Sequence, residues 1–164
     1  MELIIKPLNI TRNNFSQYGD LISSENVEPI DINAGYAKRF DDLANISTSK
    51  NDGKAIVSIF SALKREFPMK IDMMQKHPLG SQAFMPMEKT TFLCFVAPAG
   101  NFPDTEKIKS FIVPPNTGIN YKPGIWHFPL ISTEDMNFLV VDRKGSGDNL
   151  KIKKLVENQV VLKY

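Results

Sequence analysis

Residues 118–130 read GINYKPGIWHFPL and hold one of only two histidines in this 164-residue chain; the other lies upstream in QKHPLGSQAFMPM, residues 75–87. In a strand, alternation sends Trp126, Phe128 and Leu130 to one face and Ile125, His127 and Ile131 to the other. His127 is therefore expected on a face that is not fully solvated. Around His77, Gln75 shares its face of a short strand, Pro78 and Gly80 bend the chain, and QAFMPM opens a second strand with Gln82 at its start. Such a bend lets His77 and Gln82 converge. By itself, an imidazole among apolar residues reads more readily as a hydrogen-bonded core group than as a ligand or base.

Outward from these segments, eleven prolines and nine glycines cut the chain into short apolar runs, which predicts many short strands joined by turns. AIVSIFSA, QAFMPM, TTFLCFVA, IKSFIVP, GIWHFPLI and MNFLVVDR each have the length of a strand. No helical crossovers separate them, as a parallel α/β fold would need, so the expectation is all-β: a sandwich, barrel or jelly roll. One or two short peripheral helices are predicted. NITRNNFSQYGDLI offers Asn9 or Thr11 as N-cap, Phe15 and Tyr18 three apart, and Gly19 as a stop; the second lies in LKIKKLVENQV. The polar stretch STSKNDGK, residues 47–54, reads as a loop with an Asp52-Gly53 turn entering a strand. With no repeat, low-complexity tract or linker, the chain is expected to fold as a single domain over residues 1–164.

Twenty basic and eighteen acidic residues leave a net charge of +2, with the lysines scattered rather than gathered into a stripe that follows phosphates. Nucleic acid is not an expected partner, and KIKK at 151–154 reads as a solvated face. The start MELIIKPLN lacks the pattern of a secretory leader, and no apolar run reaches the length of a membrane span, so the protein is expected in the cytoplasm and off the membrane. Cys94 is the single cysteine. It excludes an intrachain disulfide and fits a buried small hydrophobe in a reducing compartment.

The spacing of Gly118, Pro123, Gly124 and His127, with His77 and Gln82 before them, resembles the paired motifs of cupins, in which a histidine-bearing strand and a distant PxG..H segment meet inside a double-stranded β-helix, or jelly-roll barrel. HPLGSQAFMPM, GINYKPGIWHFPL, VVDRKGSGDN and DINAGYAKRFDDLA resemble, in colinear order, the hallmark segments of the ureidoglycolate lyase family, long called ureidoglycolate hydrolases. In the last of these the match runs through Asn33, Gly35, Arg39, Phe40, Asp42, Leu43 and Ala44. The resemblance spans roughly residues 1–150. It departs from the family at four positions: Gln75 stands for the usual Glu, Lys76 for Arg, Ser61 for Arg and Phe128 for His.

This resemblance implies cleavage of ureidoglycolate into glyoxylate and urea, and with it a small-molecule carboxylate substrate, no nucleotide cofactor and a homodimer. Breaking the carbon–nitrogen bond of such a hemiaminal calls for a base at the hydroxyl, a proton for the departing urea and a grip on the carboxylate. The implied catalytic groups are His77, His127 and Lys122. A divalent cation, nickel or zinc, is implied on His77, Gln82 and His127, with Gln75 as a further donor; without a metal, His77 or His127 serves directly as the base. Lys122, Arg39 and Arg143 are the candidates for carboxylate binding, Asn33 and Gln82 for polar contacts, and Tyr121 and Trp126 for the pocket walls. Two other readings keep the fold: a metal-free isomerase or epimerase of a small carboxylated or sugar-like substrate, and a non-catalytic module that binds a small acid.

Overall fold

The computed structural model describes residues 2–155 and 159–164. Its middle strand, Phe92–Ala97, is apolar and buried at every position. Period-two alternation sends Phe92, Cys94 and Val96 into one core and Leu93, Phe95 and Ala97 into a second. A strand dry on both sides belongs in the middle layer of three.

That layer is the seven-stranded sheet, ordered Lys151–Lys154, Met73–Lys76, Trp126–His127, Phe92–Ala97, Lys109–Val113 and Leu8–Asn9, with Ile131–Ser132 also paired to Phe92–Ala97. Facing one side is a five-stranded sheet ordered Gly19–Ile22, Gly118–Tyr121, Gln82–Pro86, Met136–Lys144 and Lys54–Ala62. Phe84, Ile119, Phe138 and Val140 project inward from it to meet Phe92, Cys94, Phe111 and Val113. Phe92 and Phe138 pack edge to face with ring centroids 5.0 Å apart. The opposite side is covered by the three-stranded sheet Glu2–Ile5, Gln159–Leu162 and Met69–Ile71, whose Ile71, Val160 and Leu162 meet Met74, Leu93, Phe95 and Trp126. A small hairpin, Ile30–Ile32 with Ala37–Arg39, stands apart from these sheets.

The fold is all-β and cupin-like, but the expected closed barrel is absent among the described residues. The layers are open sheets, and Lys54–Ala62 pairs only with Met136–Lys144, leaving its other edge free. In GIWHFPLI the predicted alternation holds for Ile125, Trp126 and Phe128 and then breaks: Leu130 packs on the first core and Ile131 in the second, the reverse of an unbroken strand. Pro129 is the cause, since it has no N–H for the ladder, and pairing resumes only at Ile131.

The expected N-terminal helix is one turn, Arg12–Phe15, with Thr11 as N-cap and Asn14 closing a reciprocal capping box. Phe15 and Tyr18 are both buried. Gly19 is not a helix stop but the first residue of a strand against Tyr121, where a Cβ would overlap the Asn120 carbonyl oxygen. The second helix is a misreading. LKIKKLVENQV holds the strands Lys151–Lys154 and Gln159–Leu162, with 156–158 outside the described residues. KIKK takes the open edge beside Met73–Lys76, where exposed lysines also discourage a further strand from adding. No described helix is long and apolar enough to cross a membrane.

Candidate active site

Where the five- and seven-stranded sheets separate, they enclose a cavity of about 640 Å³ lined by Phe60, Phe84, Gln75, Gln82, Tyr121 and His127, with Ser61, Lys64, Arg65 and Phe128 among its other walls. Its volume lies in the range of small-molecule sites. Alternation explains the polar groups. Gln82 projects from the same face of its strand as Phe84, and His127 projects opposite to Trp126, away from the second core.

His127 pairs across the sheet with Val96 and Gln75 and is only 2% exposed. Its Nδ1–H donates to the Ile125 carbonyl at 3.0 Å, which leaves the lone pair on Nε2, 3.5 Å from the Gln75 amide nitrogen. Tyr121 stacks on the imidazole with centroids 4.4 Å apart and planes 13° from parallel. Burial, with His77 adding repulsion, pushes the His127 pKa down from 6.5 to about 3. The ring is neutral at physiological pH. Burial, with the neighbouring Cys94 thiol second, raises the Tyr121 phenol, so it too stays protonated.

His77 follows the strand Met73–Lys76, with its carbonyl held by the Gly124 N–H at 2.8 Å. Its Nδ1–H donates to the Asn149 carbonyl at 2.8 Å, and its buried Nε2 has no partner. The two imidazoles lie 5.3 Å apart, centroid to centroid. Both thus have Nδ1–H fixed on a main-chain carbonyl and Nε2 left as the available lone pair, the tautomer that an imidazole ligand requires.

Gln82 donates from Nε2 to Asp142 Oδ2 at 3.1 Å, which leaves its amide oxygen available. The second Asp142 oxygen, Oδ1, is buried without a partner. Sequence reasoning missed Asp142, although the alternation of MNFLVVDR puts it on the inward face with Phe138 and Val140. The available donors for a cation are therefore Nε2 of His77, Nε2 of His127 and the Gln82 amide oxygen, a set whose ligand type suits nickel or zinc. Among the described residues no three of His, Cys, Asp and Glu cluster as ligands, so this set holds no carboxylate or thiolate.

The other expected residues lie elsewhere. Lys122 is exposed and donates to the Ser16 carbonyl. Buried Arg143 donates to the carbonyls of Lys50, Asn51 and Ser146, in a space kept clear by Gly53, Gly80 and Gly145, at each of which a Cβ would strike it. Arg39 is exposed and paired with Asp41, and Asn33 sits exposed in a turn at φ 54°. Trp126 faces the second core and donates to the Gly100 carbonyl at 3.0 Å. Lys76 lies with it, 4.6 Å over the indole and 2.6 Å from the same carbonyl, its pKa lowered by burial and by Lys151 and Lys153. Of the four departures from the family pattern, Gln75, Ser61 and Phe128 line the cavity and Lys76 does not.

A family model described as ureidoglycolate lyase matches residues 2–162. The ureidoglycolate lyase of Pseudomonas syringae pv. syringae (strain B728a) is 40% identical over 162 residues, covering 98% of this chain and 94% of that protein. That of Pseudomonas paraeruginosa (strain DSM 24068 / PA7) is 41% identical over 161 residues, with 98% and 94% covered. The ureidoglycolate lyase of Burkholderia mallei (strain NCTC 10229) is 41% identical over 157 residues, with 95% and 91% covered.

Proposed function

The chain belongs to the ureidoglycolate lyase family, and from that premise we propose that it cleaves the carbon–nitrogen bond of ureidoglycolate to give glyoxylate and urea. The observation that carries the reading is the pair of imidazoles 5.3 Å apart, each with Nδ1 on a main-chain carbonyl and Nε2 left over, of which the neutral His127 ring lines a small-molecule cavity.

In the reaction the substrate hydroxyl gives up its proton, its oxygen forms the aldehyde carbonyl as the carbon–nitrogen bond breaks, and the proton passes to the departing urea nitrogen. Neither water nor an oxidant is consumed. His127 Nε2 is the lone pair that lines the cavity, and it takes the hydroxyl proton. A pKa of about 3 makes it a poor base in the empty site. A substrate carboxylate brought alongside favours the charged ring and moves that value back up. Tyr121 fixes the plane of the ring, and the Gln75 and Gln82 amides hydrogen-bond the oxygens around the reacting carbon. Were a divalent cation held instead by the Nε2 atoms of His77 and His127 and the Gln82 amide oxygen, it would supply Lewis-acid polarisation of the hydroxyl in place of His127 as base.

The protein acts in the cytosol, consistent with a single buried thiol, and as a homodimer. The free edge of Lys54–Ala62 and the exposed Val57 and Ile59 on that strand support self-association. Light scattering that returns the monomer mass at micromolar concentration would sink the dimer.

The deciding experiment gives racemic ureidoglycolate to protein purified without chelators and analysed for metal. Urea release without ammonia is the expected result. Ammonia in place of urea excludes the lyase, and tight binding of glyoxylate without turnover favours the acid-binding module.

A further inference from the structure

The proposed reaction needs a cation to hold the substrate carboxylate, and those expected from sequence are all engaged away from the cavity. The chain has four arginines. Arg12 donates to the carbonyls of Leu21, Ser23 and Glu25, Arg39 pairs with Asp41, and Arg143 is spent on three loop carbonyls. Arg65 remains. It lines the cavity with His127 and Gln82, and among the described residues its guanidinium has no hydrogen bond or ion pair. The other lining cation, Lys64, already stands 3.6 Å from Glu66.

The surroundings of Arg65 suit a grip on an anion. Its backbone is pinned, with its N–H on the Ser132 carbonyl at 2.9 Å and the Lys64 N–H on Asp135 Oδ1 at 2.8 Å. Its head lies 5.8 Å over the ring of Phe128, the neighbour of His127. A guanidinium over an aromatic face keeps its donors at its edge, in the planar fork that matches a carboxylate at two points. The arginine is thus fixed at its base, unpaired at its tip, and open to the same chamber as the imidazole lone pair.

We infer that Arg65 is the residue that binds the carboxylate of the substrate and of the glyoxylate product, and that it sets the preference for α-carboxylated substrates. The inference rests on the cleavage reaction proposed above. Phe128 acts with it as a positioning residue, by keeping the guanidinium over its ring.

Two measurements on the full-length chain test it: urea-release kinetics on ureidoglycolate, and calorimetric binding of glyoxylate, for wild type, Arg65→Gln, Arg65→Lys and, as a surface control, Lys122→Gln. Loss of a charge-assisted pair corresponds to about 10- to 100-fold in affinity. Arg65→Gln is expected to raise KM and weaken glyoxylate binding by that factor while kcat falls less. Arg65→Lys recovers only part of the loss, and Lys122→Gln matches wild type. An Arg65→Gln protein with wild-type KM and wild-type glyoxylate affinity overturns the anchor while leaving the lyase intact. A wild type that binds glyoxylate through Arg65 but releases no urea overturns the reaction and keeps the anchor. A wild type that does neither removes both.

Discussion

The two sides of the seven-stranded sheet are built by the same alternation and end differently. Toward the three-stranded sheet, Leu93, Phe95, Trp126 and Ile131 continue into Ile71, Val160 and Leu162 in one apolar cluster. Toward the five-stranded sheet, Phe92, Phe138 and Val140 give way along the same strand faces to Asp142, Gln82 and His127, and the layers part around a cavity. A buried polar group is tolerable only when its partners are built in, and here Ile125 and Asn149 carbonyls and the Asp142–Gln82 pair supply them. One side of the sheet is devoted to holding the layers together, and the other gives up part of that packing to keep lone pairs available.

Chemistry and stability are expected to separate across the sheet. The largest effect is expected at His127→Ala, with kcat/KM for urea release down by about 10²- to 10⁴-fold, the range for a positioned acid–base group. A protein that keeps its rate would put the chemistry elsewhere. Across the sheet, Leu93→Ala is expected to cost about 2–5 kcal/mol in urea denaturation while the folded fraction keeps its kcat/KM.

Acid sharpens the contrast. Because folding holds His127 at about 3, below its ordinary 6.5, the unfolded chain binds more protons between those values. The stability is therefore full above about pH 6.5 and lost as pH falls toward 3, at up to roughly 1.4 kcal/mol per pH unit from this group. Denaturant midpoints for wild type against His127→Gln from pH 7 to 4 read that slope; parallel curves would show that the ring is not held neutral. The smallest effect belongs to Asp142→Ala, which frees the Gln82 amide at a cost of about 1–3 kcal/mol. There KM is expected to rise as Gln82 loses its orientation, and a change in Tm with untouched kinetics would return Asp142 to a purely structural role.

Much of this layout was legible in the residues. The strand-length apolar segments, the opposite facing of Trp126 and His127, and the inward facing of Gln82 follow from period two. Asp142 was equally legible and was passed over, because an acid beside an arginine reads as surface charge until the alternation of Phe138 and Val140 is carried two residues further. The cations were not legible. Whether Lys122 meets a substrate or the Ser16 carbonyl, and whether Arg143 meets a ligand or Lys50, depends on which distant loop arrives beside it, and strand periodicity carries no information about that. The C-terminal strands were hidden for a similar reason. LKIKK has the composition of a helix, but the edge beside Met73–Lys76 offers hydrogen bonds that outweigh local propensity.

Arg143 turns two surface loops into an interlock. A single guanidinium, bonded to carbonyls from residues 50, 51 and 146 and closed in by three positions that lack a Cβ, ties the lengths of both loops to one another. An insertion or deletion in either would strand a buried positive charge, so these loops are poor places for grafting, although both lie at the margin of the sheets.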